Sequence, residues 1–532
     1  MAKKLISLIL AMVLCFGVLA ACNGNSGDEP FVPIDPNTGE YVTPNLNGAK
    51  VQIYTSPIAS TTKINDNYTT KLVEKTLNMD LEYMEIDSFG NAYETLVKDI
   101  PDITYFTGYN ASYTGYGDDG AYINILEYLD YMPNVKAFYE EYKDSGIFDK
   151  YIVRDGVMYA LPVLITGSAA NYVYLYREDI FKENNLTWPT NQADFEATLR
   201  TLKEKYPSSY PFVMRNLTGS MSGATTWSYL WGTPIVTYSS YSTLFTLRDD
   251  GTYELGWIGD GMKEMAQYMQ KLTKEGLMHP SSFGMDANGW TAAIGAGDSF
   301  ITFDKVDRIP TLNAAGRGVK EDFNMVAGAP FNMGTYATKT NVVSTSFSNP
   351  TTSAIHIIGD NANKANSIAY IDWLYSEEGI ELTNWGVKGE SYDVDENGKK
   401  YLIESWYKNY SALIECGLEQ LISTGVQDFD VYIATCDESL AESLRISLEY
   451  TGKSAYQYPL KYTEEEQMIW DTYVKSTTSF IRGEWAKFAI GKEDGYTFDN
   501  WGRMLEDLKK SYGYDLVLKM HQDALARMKA NG

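Results

Sequence analysis

The fold is decided by the stretch Tyr151-Ile-Val-Arg-Asp-Gly-Val-Met-Tyr-Ala-Leu-Pro162 and by the elements on either side of it. Its central dipeptide, Asp155-Gly156, separates two short apolar runs, and Asp-Gly favours the tight turn of a β-hairpin. Upstream, strand-like runs alternate with segments of helical spacing: strands over 50–54, 81–86 and 102–105, and helices over 69–77 and 93–100. This βαβ order predicts an α/β lobe with a largely parallel sheet.

The chain downstream of the hairpin continues the α/β pattern. Asn191 and Asp194 cap the start of a helix that is predicted to run to Lys205. Another amphipathic helix, over 261–275, is expected to end at Gly276. Strands are predicted over 300–303 and 351–358, and helices over 362–376, 377–383 and most of the chain from 464 onward. Because 532 residues exceed what one hydrophobic core usually serves, we expect two or more lobes.

Composition and charge exclude several classes of function. The chain carries 44 Lys and Arg against 70 Asp and Glu, a formal net charge of -26, which opposes binding to nucleic acid or to anionic lipid through a basic surface. With 44% hydrophobic and 14% aromatic residues, global disorder is excluded. Only three histidines are present, so a His-based metal site or Ser-His-Asp triad has few candidates.

The first residues predict export. Lys3 and Lys4 precede an apolar run that is too short for an ordinary membrane-spanning helix. The run ends in Leu19-Ala-Ala-Cys22, which resembles the lipobox of bacterial lipoproteins, in which the Cys thiol carries the lipid. The alternative is a plain signal peptide with an incidental Cys. We expect a signal peptide over 1–21 and a lipid on Cys22 that anchors the protein to the extracellular face of a cell membrane, of the Gram-positive type.

Residues 22–48 are predicted to be the lipidated Cys and a flexible tether. This segment contains several Pro, Gly and Asn and four acidic residues but no Lys or Arg, a composition that buries little apolar surface. Beyond it, Cys416 and Cys436 are the remaining thiols. A disulfide between them is compatible with an extracellular location, and two separate thiols are the alternative that the sequence leaves open.

Five blocks of the sequence together resemble the carbohydrate-type extracellular solute-binding lipoproteins of ABC (ATP-binding-cassette) importers, which are similar to maltose-binding protein (family 1). The blocks are DGVMYALP at 155–162, YLYRED at 174–179, KLTKEGL at 271–277, DWLYSEEG at 372–379 and NWGVKGESY at 384–392. Their order and spacing match over roughly residues 49–532. Lys388 departs from the pattern, because the family often has Glu at this position.

The resemblance implies an α/β, two-lobed clamshell of the periplasmic-binding-protein type (type II), with lobes joined by crossover strands. We expect lobe 1 over 49–166 plus 357–450 and lobe 2 over 167–356 plus 451–532, with crossings near 161–166, 351–358 and 451–459. The resemblance also implies a monomer that captures a carbohydrate, expected to be an oligosaccharide, between its lobes and delivers it to ABC permease subunits in the membrane. No cofactor is expected.

A sugar presents apolar C–H faces and a rim of hydroxyls, so its site combines flat aromatic rings with carboxylates, amides and Arg. Trp227 and Trp231 are spaced i, i+4 and share one helix face, which makes them candidates for stacking; a Trp pair in a lobe core is the alternative. A second group follows the strand over 102–105, at the carboxyl end where α/β folds bind ligands, with a Tyr-rich surface loop as its alternative. It comprises Tyr105, Phe106, Thr107 and Tyr109.

Two further groups are candidates for ligand contacts. Asp304 and Arg308 follow the strand over 300–303 and offer polar contacts, or they belong to a solvated charge cluster. Trp385 and Tyr392 bracket two glycines in the last of the five blocks, and core packing is the alternative for Trp385.

One motif satisfies the calcium-loop pattern D-x-[DN]-x-[DN]-G-x5-E: Asp393, Asp395, Asn397 and Glu404 supply its oxygen ligands. Two lysines inside the loop and a poor entering helix argue against calcium. The interpretation we favour is an acidic β-hairpin turn without a metal.

The sequence has no G-x-S-x-G elbow, phosphate loop or H-E-x-x-H motif, so we do not expect an enzyme. An extracellular glycoside hydrolase needs only two suitably spaced carboxylates and is the alternative. A binding protein for another solute class, such as peptides, is the third interpretation.

Overall fold

The structure is a computed structural model. It describes residues 30–56, 62–86, 101–106, 114–143, 147–148, 151–154, 156–167, 171–217, 222–233, 235, 245–247, 252–337, 343–344, 354–403, 410–418, 425–452, 462–492 and 496–531. The predicted helix over 93–100, the lipobox with Cys22, and the candidate residues Thr107, Tyr109 and Glu404 lie outside these ranges.

The strands of the described chain are β1 Ala49–Thr55, β2 Met79–Glu85, β3 Ile103–Phe106, β4 Ile152–Arg154, β5 Val157–Met158, β6 Leu161–Pro162, β7 Leu164–Ile165, β8 Tyr172–Arg177, β9 Phe212–Val213, β10 Phe245–Leu247, β11 Tyr253–Leu255, β12 Ile301–Lys305, β13 Met325–Gly328, β14 Val343–Ser344, β15 Ala354–Ile357, β16 Tyr392–Val394, β17 Lys400–Leu402, β18 Val426–Gln427 and β19 Thr451–Gly452. Strands β4 and β5 form the hairpin that Asp155-Gly156 predicts.

The α-helices are α1 Tyr68–Leu77, α2 Thr114–Asp118, α3 Pro133–Tyr142, α4 Glu178–Glu183, α5 Gln192–Lys205, α6 Ser222–Trp227, α7 Asp260–Lys274, α8 Ala287–Ala296, α9 Ile309–Arg317, α10 Lys364–Leu374, α11 Glu377–Asn384, α12 Tyr410–Cys416, α13 Phe429–Ala434, α14 Glu438–Glu449, α15 Glu464–Ile469, α16 Lys475–Ala489, α17 Arg503–Ser511 and α18 Tyr514–Asn531. Short 3-10 turns occupy Ile64–Asp66, Ile125–Glu127, Leu129–Tyr131, Ser228–Trp231, Gly256–Ile258, Pro280–Phe283, Val306–Arg308 and Phe498–Asn500, and a π-helical turn occupies Trp470–Val474.

The first lobe is built on a five-stranded sheet of order β2-β1-β3-β15-β6. Strand β1 runs parallel to β2 and β3, whereas β15 runs antiparallel to β3 and β6. Helix α1 connects β1 to β2. It begins where the Asn67 side chain accepts a hydrogen bond from Thr70 N (2.8 Å), and it ends at Asn78, whose φ of +50° stops the helix. The largely parallel sheet predicted from the βαβ order is confirmed.

The second lobe is built on a four-stranded sheet of order β13-β8-β12-β9. Strand β8 is antiparallel to both β12 and β13, and β9 is parallel to β12. Its two faces carry separate hydrophobic clusters: one face packs with α5, α7 and the C-terminal helices from α16 onward, and the other packs with α8, α9 and α14. The caps predicted for α5 and α7 are present, because Asn191 accepts from Asp194 N and Gly276 has a φ of +69°.

Three connections between the lobes can be followed along the described part of the chain. The first leaves β6 after Pro162 and enters β8 at Tyr172, and the second leads from β13 to β15; residues 168–170, 338–342 and 345–353 lie outside the described ranges. The third is the short segment 425–429, where β18 pairs in parallel with β7 of the first connection. Asn384 of the first lobe holds this third connection through Val426 O (2.8 Å) and Asp428 N (2.9 Å).

The first connection includes the expected crossing near 161–166, whereas the expected crossing near 351–358 largely coincides with β15, a strand of the first sheet. Residues 453–459 of the third expected crossing lie outside the described ranges, and the third connection that the structure describes is 425–429. Helix α14 and the helices from α16 onward, which flank 451–459 in sequence, pack with the second lobe. Helix α14 was assigned to the first lobe, yet its Ala441 and Leu444 are buried against the second sheet, and Ser443 Oγ accepts from Ala327 N of β13 (3.0 Å). The lobe boundaries as a whole stay a prediction.

The predicted tether requires a correction. Residues 30–48 do not extend away from the body but pack against the first lobe. Leu46 is 2% exposed and its N–H donates to Leu77 O (2.8 Å), Tyr41 packs on the lobe core, and the Thr43 hydroxyl donates to Glu378. Composition misled here because a few apolar side chains, spaced between prolines, are enough to fix the segment on an existing surface.

Cys416 and Cys436 are present as thiols, and Cys436 Sγ contacts Tyr432 O at 3.4 Å. The two cysteines do not form a disulfide with each other in the structure, which corresponds to the second of the two possibilities that the sequence leaves open, two separate thiols. Across the described residues, no helix has both the length and the apolar character that crossing a membrane requires.

Candidate functional site

The topology brings one edge of each sheet to the space between the lobes. Strands β1, β2, β3 and β6 all end at the same edge of the first sheet, and β9, β12 and β13 all end at the same edge of the second. The first connection leaves the carboxyl end of β6 and enters β8 beside the carboxyl end of β12, where Tyr172 pairs with Lys305. The second connection leaves the carboxyl end of β13 and enters β15 beside the end of β3. Both carboxyl edges therefore face the junction of the lobes, where α/β folds bind ligands.

An arginine–aspartate pair occupies this edge of the second lobe. Asp304 lies near the end of β12, and Arg215 follows β9 by two residues. The two side chains make a bidentate contact, Nε to Oδ2 at 2.6 Å and Nη2 to Oδ1 at 2.8 Å. The Asp304 side chain is only 5% exposed and that of Arg215 16% exposed. These hydrogen bonds to Asp304 raise the pKa of the Arg215 guanidinium, so it stays charged although it is partly buried.

The Arg215 guanidinium also lies over an aromatic ring. Its Cζ is 4.9 Å from the ring centroid of Trp290, on helix α8. Trp290 is itself fixed, because it is 1% exposed and its Nε1 donates to Thr302 Oγ1 at 3.0 Å. Arg215 is thus held from two directions, by a carboxylate and by a rigid ring, and its orientation is set before any ligand arrives.

Further charged groups surround this pair. Asp307 and Arg308 form the short turn after β12, with Arg308 Nε 3.2 Å from Asp307 Oδ1. Burial raises the pKa of Asp307, while the charges of Arg308, Lys305 and Arg215 act in the opposite direction. The charges of these groups shift the pKa values of Arg215 and Asp307, so the groups lie close together. We call them the second-lobe edge cluster, which comprises Tyr172, Arg215, Asp304, Lys305, Asp307 and Arg308.

The connections between the lobes are tightly packed beside this cluster. A Cβ on Gly167, in the first connection, would lie 2.5 Å from the ring of Phe429, which begins α13. Thr166 donates its N–H to Gln427 O (3.0 Å) and accepts from Phe429 N through Oγ1 (2.8 Å). The first and third connections therefore form a single hydrogen-bonded strip.

The structure places the predicted site residues that it describes in four different settings. Asp304, the next-to-last residue of β12, and Arg308, just after that strand, belong to the second-lobe edge cluster, and their contact with a ligand stays a prediction. Trp227 and Trp231, by contrast, are 0% and 1% exposed in the hydrophobic core of the second lobe. Their rings lie 5.5 Å apart, and Trp227 Nε1 donates to Tyr174 OH at 2.9 Å. The suggestion that this pair stacks on a ligand is corrected: the core alternative describes it.

Tyr105 is the next-to-last residue of β3, at the predicted carboxyl edge, but its side chain is buried in the first-lobe core. The backbone of Phe106 continues the strand and pairs with Ala354. Thr107 and Tyr109 lie outside the described residues, so the role of this group stays a prediction.

Trp385 and Tyr392 pack in a small hydrophobic cluster of their own, each 2% exposed, with ring centroids 5.7 Å apart. Trp385 Nε1 donates to Asp428 Oδ2 at 2.8 Å, and the Lys400 ammonium lies 5.5 Å from the Trp385 ring. Trp385 forms part of the wall of a cavity of about 490 Å³ between the β16–β17 hairpin and helices α13 and α14. Core packing is thus the main role of both residues in the structure.

The calcium-loop motif forms the tip of the β16–β17 hairpin. Asp395 Oδ1 accepts from Asn397 N (2.9 Å) and Lys399 N (2.8 Å), and Asp395 N donates to Lys399 O. Asp393 Oδ1 accepts from Val394 N. The favoured hairpin is therefore present, with the Asp395 carboxylate engaged by the backbone of the turn. The described residues contain no group of three or more His, Cys, Asp or Glu placed to hold a metal ion.

Sequence reasoning missed Arg215 and Tyr172. Arg215 directly follows the apolar run Pro211-Phe-Val-Met214, and recognising that run as a strand would have placed the arginine at a carboxyl end. Tyr172 precedes the YLYRED block and pairs with the end of β12. Its place at the carboxyl edge could be predicted only from the antiparallel pairing of β8 with β12, which the sequence alone does not show.

Comparisons with solved structures identify the fold. An HMO-binding solute-binding protein associated with an ABC transporter of Bifidobacterium longum infantis is 18% identical, with a TM-score of 0.60 over 90% of this chain and 98% of that chain. The alginate-binding protein AlgQ2 is 19% identical, with a TM-score of 0.53 over 91% and 100%. The ABC-transporter substrate-binding protein FusA of S. pneumoniae, an EF-hand mutant in complex with fructo-nystose, is 17% identical, with a TM-score of 0.54 over 91% and 100%. No family model and no curated protein matches the chain.

The chain therefore has the two-lobed α/β fold of the substrate-binding proteins of ABC transporters. This confirms the fold class that the five sequence blocks implied.

Proposed function

We propose that the protein is an extracellular receptor that captures a carbohydrate, an oligosaccharide, between its lobes and delivers it to an ABC importer. The observation that carries the proposal is the largely buried Arg215–Asp304 pair, with the carboxylate 5% and the guanidinium side chain 16% exposed, at the carboxyl edge that faces the junction of the lobes. A sugar ligand needs oriented hydrogen-bond donors for its hydroxyls, and Arg215 is held in one orientation by Asp304 and Trp290.

The ligands named for proteins of the same fold support a carbohydrate. One is described as alginate-binding and another as HMO-binding, and a third was crystallised with fructo-nystose. The sequence identity between this chain and each of these proteins is below 20%, so the proposal covers the class of carbohydrate ligands and not the particular sugar that each of them binds.

The protein is proposed to act without catalysis, as a monomer that meets its permease at the membrane. The lipobox at Cys22 supports a lipid anchor on the extracellular face, in a bacterium of the Gram-positive type. The net charge of -26 is consistent with a solubilising surface on an exported receptor.

A thermal-shift screen tests the proposal. A ligand that binds only the folded state must raise the melting temperature, by an amount that corresponds to about 2.7 kcal/mol at a concentration of 100 Kd. We expect a shift with at least one oligosaccharide from a set of fructans, mannans, milk oligosaccharides and uronates. Stabilisation by peptides and by none of these glycans would refute the carbohydrate assignment.

A further inference from the structure

Arg215 has hydrogen-bonding capacity that the protein itself does not use. A guanidinium carries five N–H donors, and Asp304 takes one from Nε and one from Nη2. Within the described chain no hydrogen bond engages Nη1, and this atom is not among the buried polar atoms that lack a partner, so it keeps access to solvent. Two donors on Nη1 and one on Nη2 therefore remain at the end of the side chain that Asp304 does not cover.

From this arrangement we infer that the free Nη1/Nη2 end of Arg215 is the main hydroxyl-binding fork of the site, and that its ligand is an uncharged sugar with two neighbouring hydroxyls. The inference rests on the proposed function and specifies the chemistry of that same site. Asp304 is a positioning residue, because it contacts Arg215 and lies almost fully out of solvent.

Rigidity is the first argument for this assignment. An arginine on a surface loses side-chain entropy when it binds a ligand, whereas Arg215 is already fixed by the bidentate contact and by the Trp290 ring. Its free fork consequently points in one direction and presents two parallel donors. Two adjacent hydroxyl oxygens match such a fork, and a single lysine ammonium does not reproduce it.

Charge decides between a neutral and an acidic sugar. Asp304 already neutralises Arg215, and Asp307 lies beside Arg308 at 3.2 Å. Among the cluster cations that the structure describes, Lys305 is the one without a salt bridge. A ligand carboxylate on Arg215 would be a second anion on one guanidinium in a partly buried place, which is unfavourable. Hydroxyl groups accept charge-assisted hydrogen bonds without adding a charge, and the -26 net charge of the chain also repels anions.

The test uses the full chain and a defined panel of probes: maltotriose, cellotriose, mannotriose, kestose, trigalacturonate and triguluronate, with a tripeptide mixture alongside. Calorimetry first identifies the tightest binder. R215K keeps the charge but removes the fork, and we expect its affinity for a neutral binder to fall by about tenfold or more. The matched control is R200K, because Arg200 also donates from Nε and Nη2 to one carboxylate, here to Oε2 of Glu275 (3.2 and 2.8 Å), but on an exposed surface. Its affinity should stay within about twofold of the wild type.

The variant D304N separates positioning from charge. It leaves Arg215 in place but weakens its hold and removes a negative charge, so a neutral ligand should bind more weakly and an acidic ligand more tightly.

The melting temperature of each variant is measured without ligand, and R215Q replaces R215K if the latter unfolds. A further readout is salt: affinity for a neutral ligand should change less than about twofold between 20 and 500 mM NaCl.

The outcomes distinguish the inference from the proposed function. A neutral glycan whose affinity falls with R215K but not with R200K supports both. A neutral glycan that R215K binds as tightly as the wild type overturns the role of Arg215 and leaves carbohydrate binding intact. Binding of the uronates alone overturns the neutral ligand class. Binding of tripeptides without any glycan overturns the inference and the proposed function together.

Discussion

The most quantitative prediction concerns Asp372, a buried carboxylate in helix α10 of the first lobe. Helix α3 begins with Pro133 and lacks a side-chain cap from its own preceding residue, Met132. Asp372 supplies that cap from another helix: Oδ1 accepts from Asn134 N (2.8 Å) and Val135 N (3.0 Å), and Oδ2 accepts from Asn134 Nδ2 (2.9 Å). The perturbation is Asp372→Asn, which keeps the shape and one acceptor oxygen but removes the charge.

The size of the expected change in unfolding free energy with pH follows from the pKa of Asp372. Burial raises this pKa from 3.8 to about 6, against the opposing effect of the three hydrogen bonds. Because the folded state binds the proton more tightly than the unfolded state, the stabilisation is fully present below pH 3.8 and is lost as the pH rises through 6. A difference of about two pKa units corresponds to about 3 kcal/mol of unfolding free energy between pH 4 and pH 7.5.

The assay is urea unfolding of the wild type and of D372N at pH 4 and pH 7.5. Many carboxylates titrate in this range, so the quantity of interest is the difference between the two proteins in their change with pH. We expect D372N to lose about 3 kcal/mol less than the wild type over the interval. Asp372→Ala is the companion variant, and it should be less stable than D372N by about 1–3 kcal/mol because the capped N–H groups lose their acceptor. Equal pH dependence of the wild type and D372N would show that burial does not raise the pKa of Asp372 in the folded protein.

Three further predictions concern other parts of the chain. Trp231→Ala should lower the unfolding free energy of the second lobe by about 3–5 kcal/mol in calorimetry, since a fully buried ring is removed from the core; an unchanged melting temperature would contradict its core position. Gly167→Ala should lower the unfolding free energy by about 1–3 kcal/mol, because the new Cβ lies 2.5 Å from the Phe429 ring. The loss should be smaller in a protein that also carries Phe429→Ala, and strictly additive changes in unfolding free energy would count against this contact. Tyr41→Ala should speed protease cleavage within residues 30–48 by about tenfold or more, and an unchanged cleavage rate would show that this segment is not held on the lobe by Tyr41.

Local patterns predicted much of the fold. The alternation of strand-like and helical segments gave the α/β class, and Asn191, Gly276 and Asp155-Gly156 marked ends and turns that the structure contains. These signals succeed because a cap or a tight turn depends on a few neighbouring residues.

Signals that depend on distant neighbours were less informative. The i, i+4 spacing of Trp227 and Trp231 shows that they share a helix face but not whether that face meets a ligand or a core. The same limit applies to helix α14, whose apolar stripe fits either lobe until the strand that it covers is known.

The candidate site was predicted only in part for a related reason. Asp304 was recognisable after a strand, but its partner Arg215 lies 89 residues away in the sequence. Only the parallel pairing of β9 with β12 brings the two together. A pair of this kind becomes visible once the order and direction of the strands are known.

The central claim is that the lobes hold an intact carbohydrate, and native mass spectrometry of the protein with a mixed pool of oligosaccharides and peptides tests it most directly. We expect a one-to-one complex with a neutral oligosaccharide, which is released on activation with its mass unchanged. Complexes with peptides alone would contradict the carbohydrate assignment, and glycan fragments in place of the intact ligand would contradict a binding protein in favour of a hydrolase.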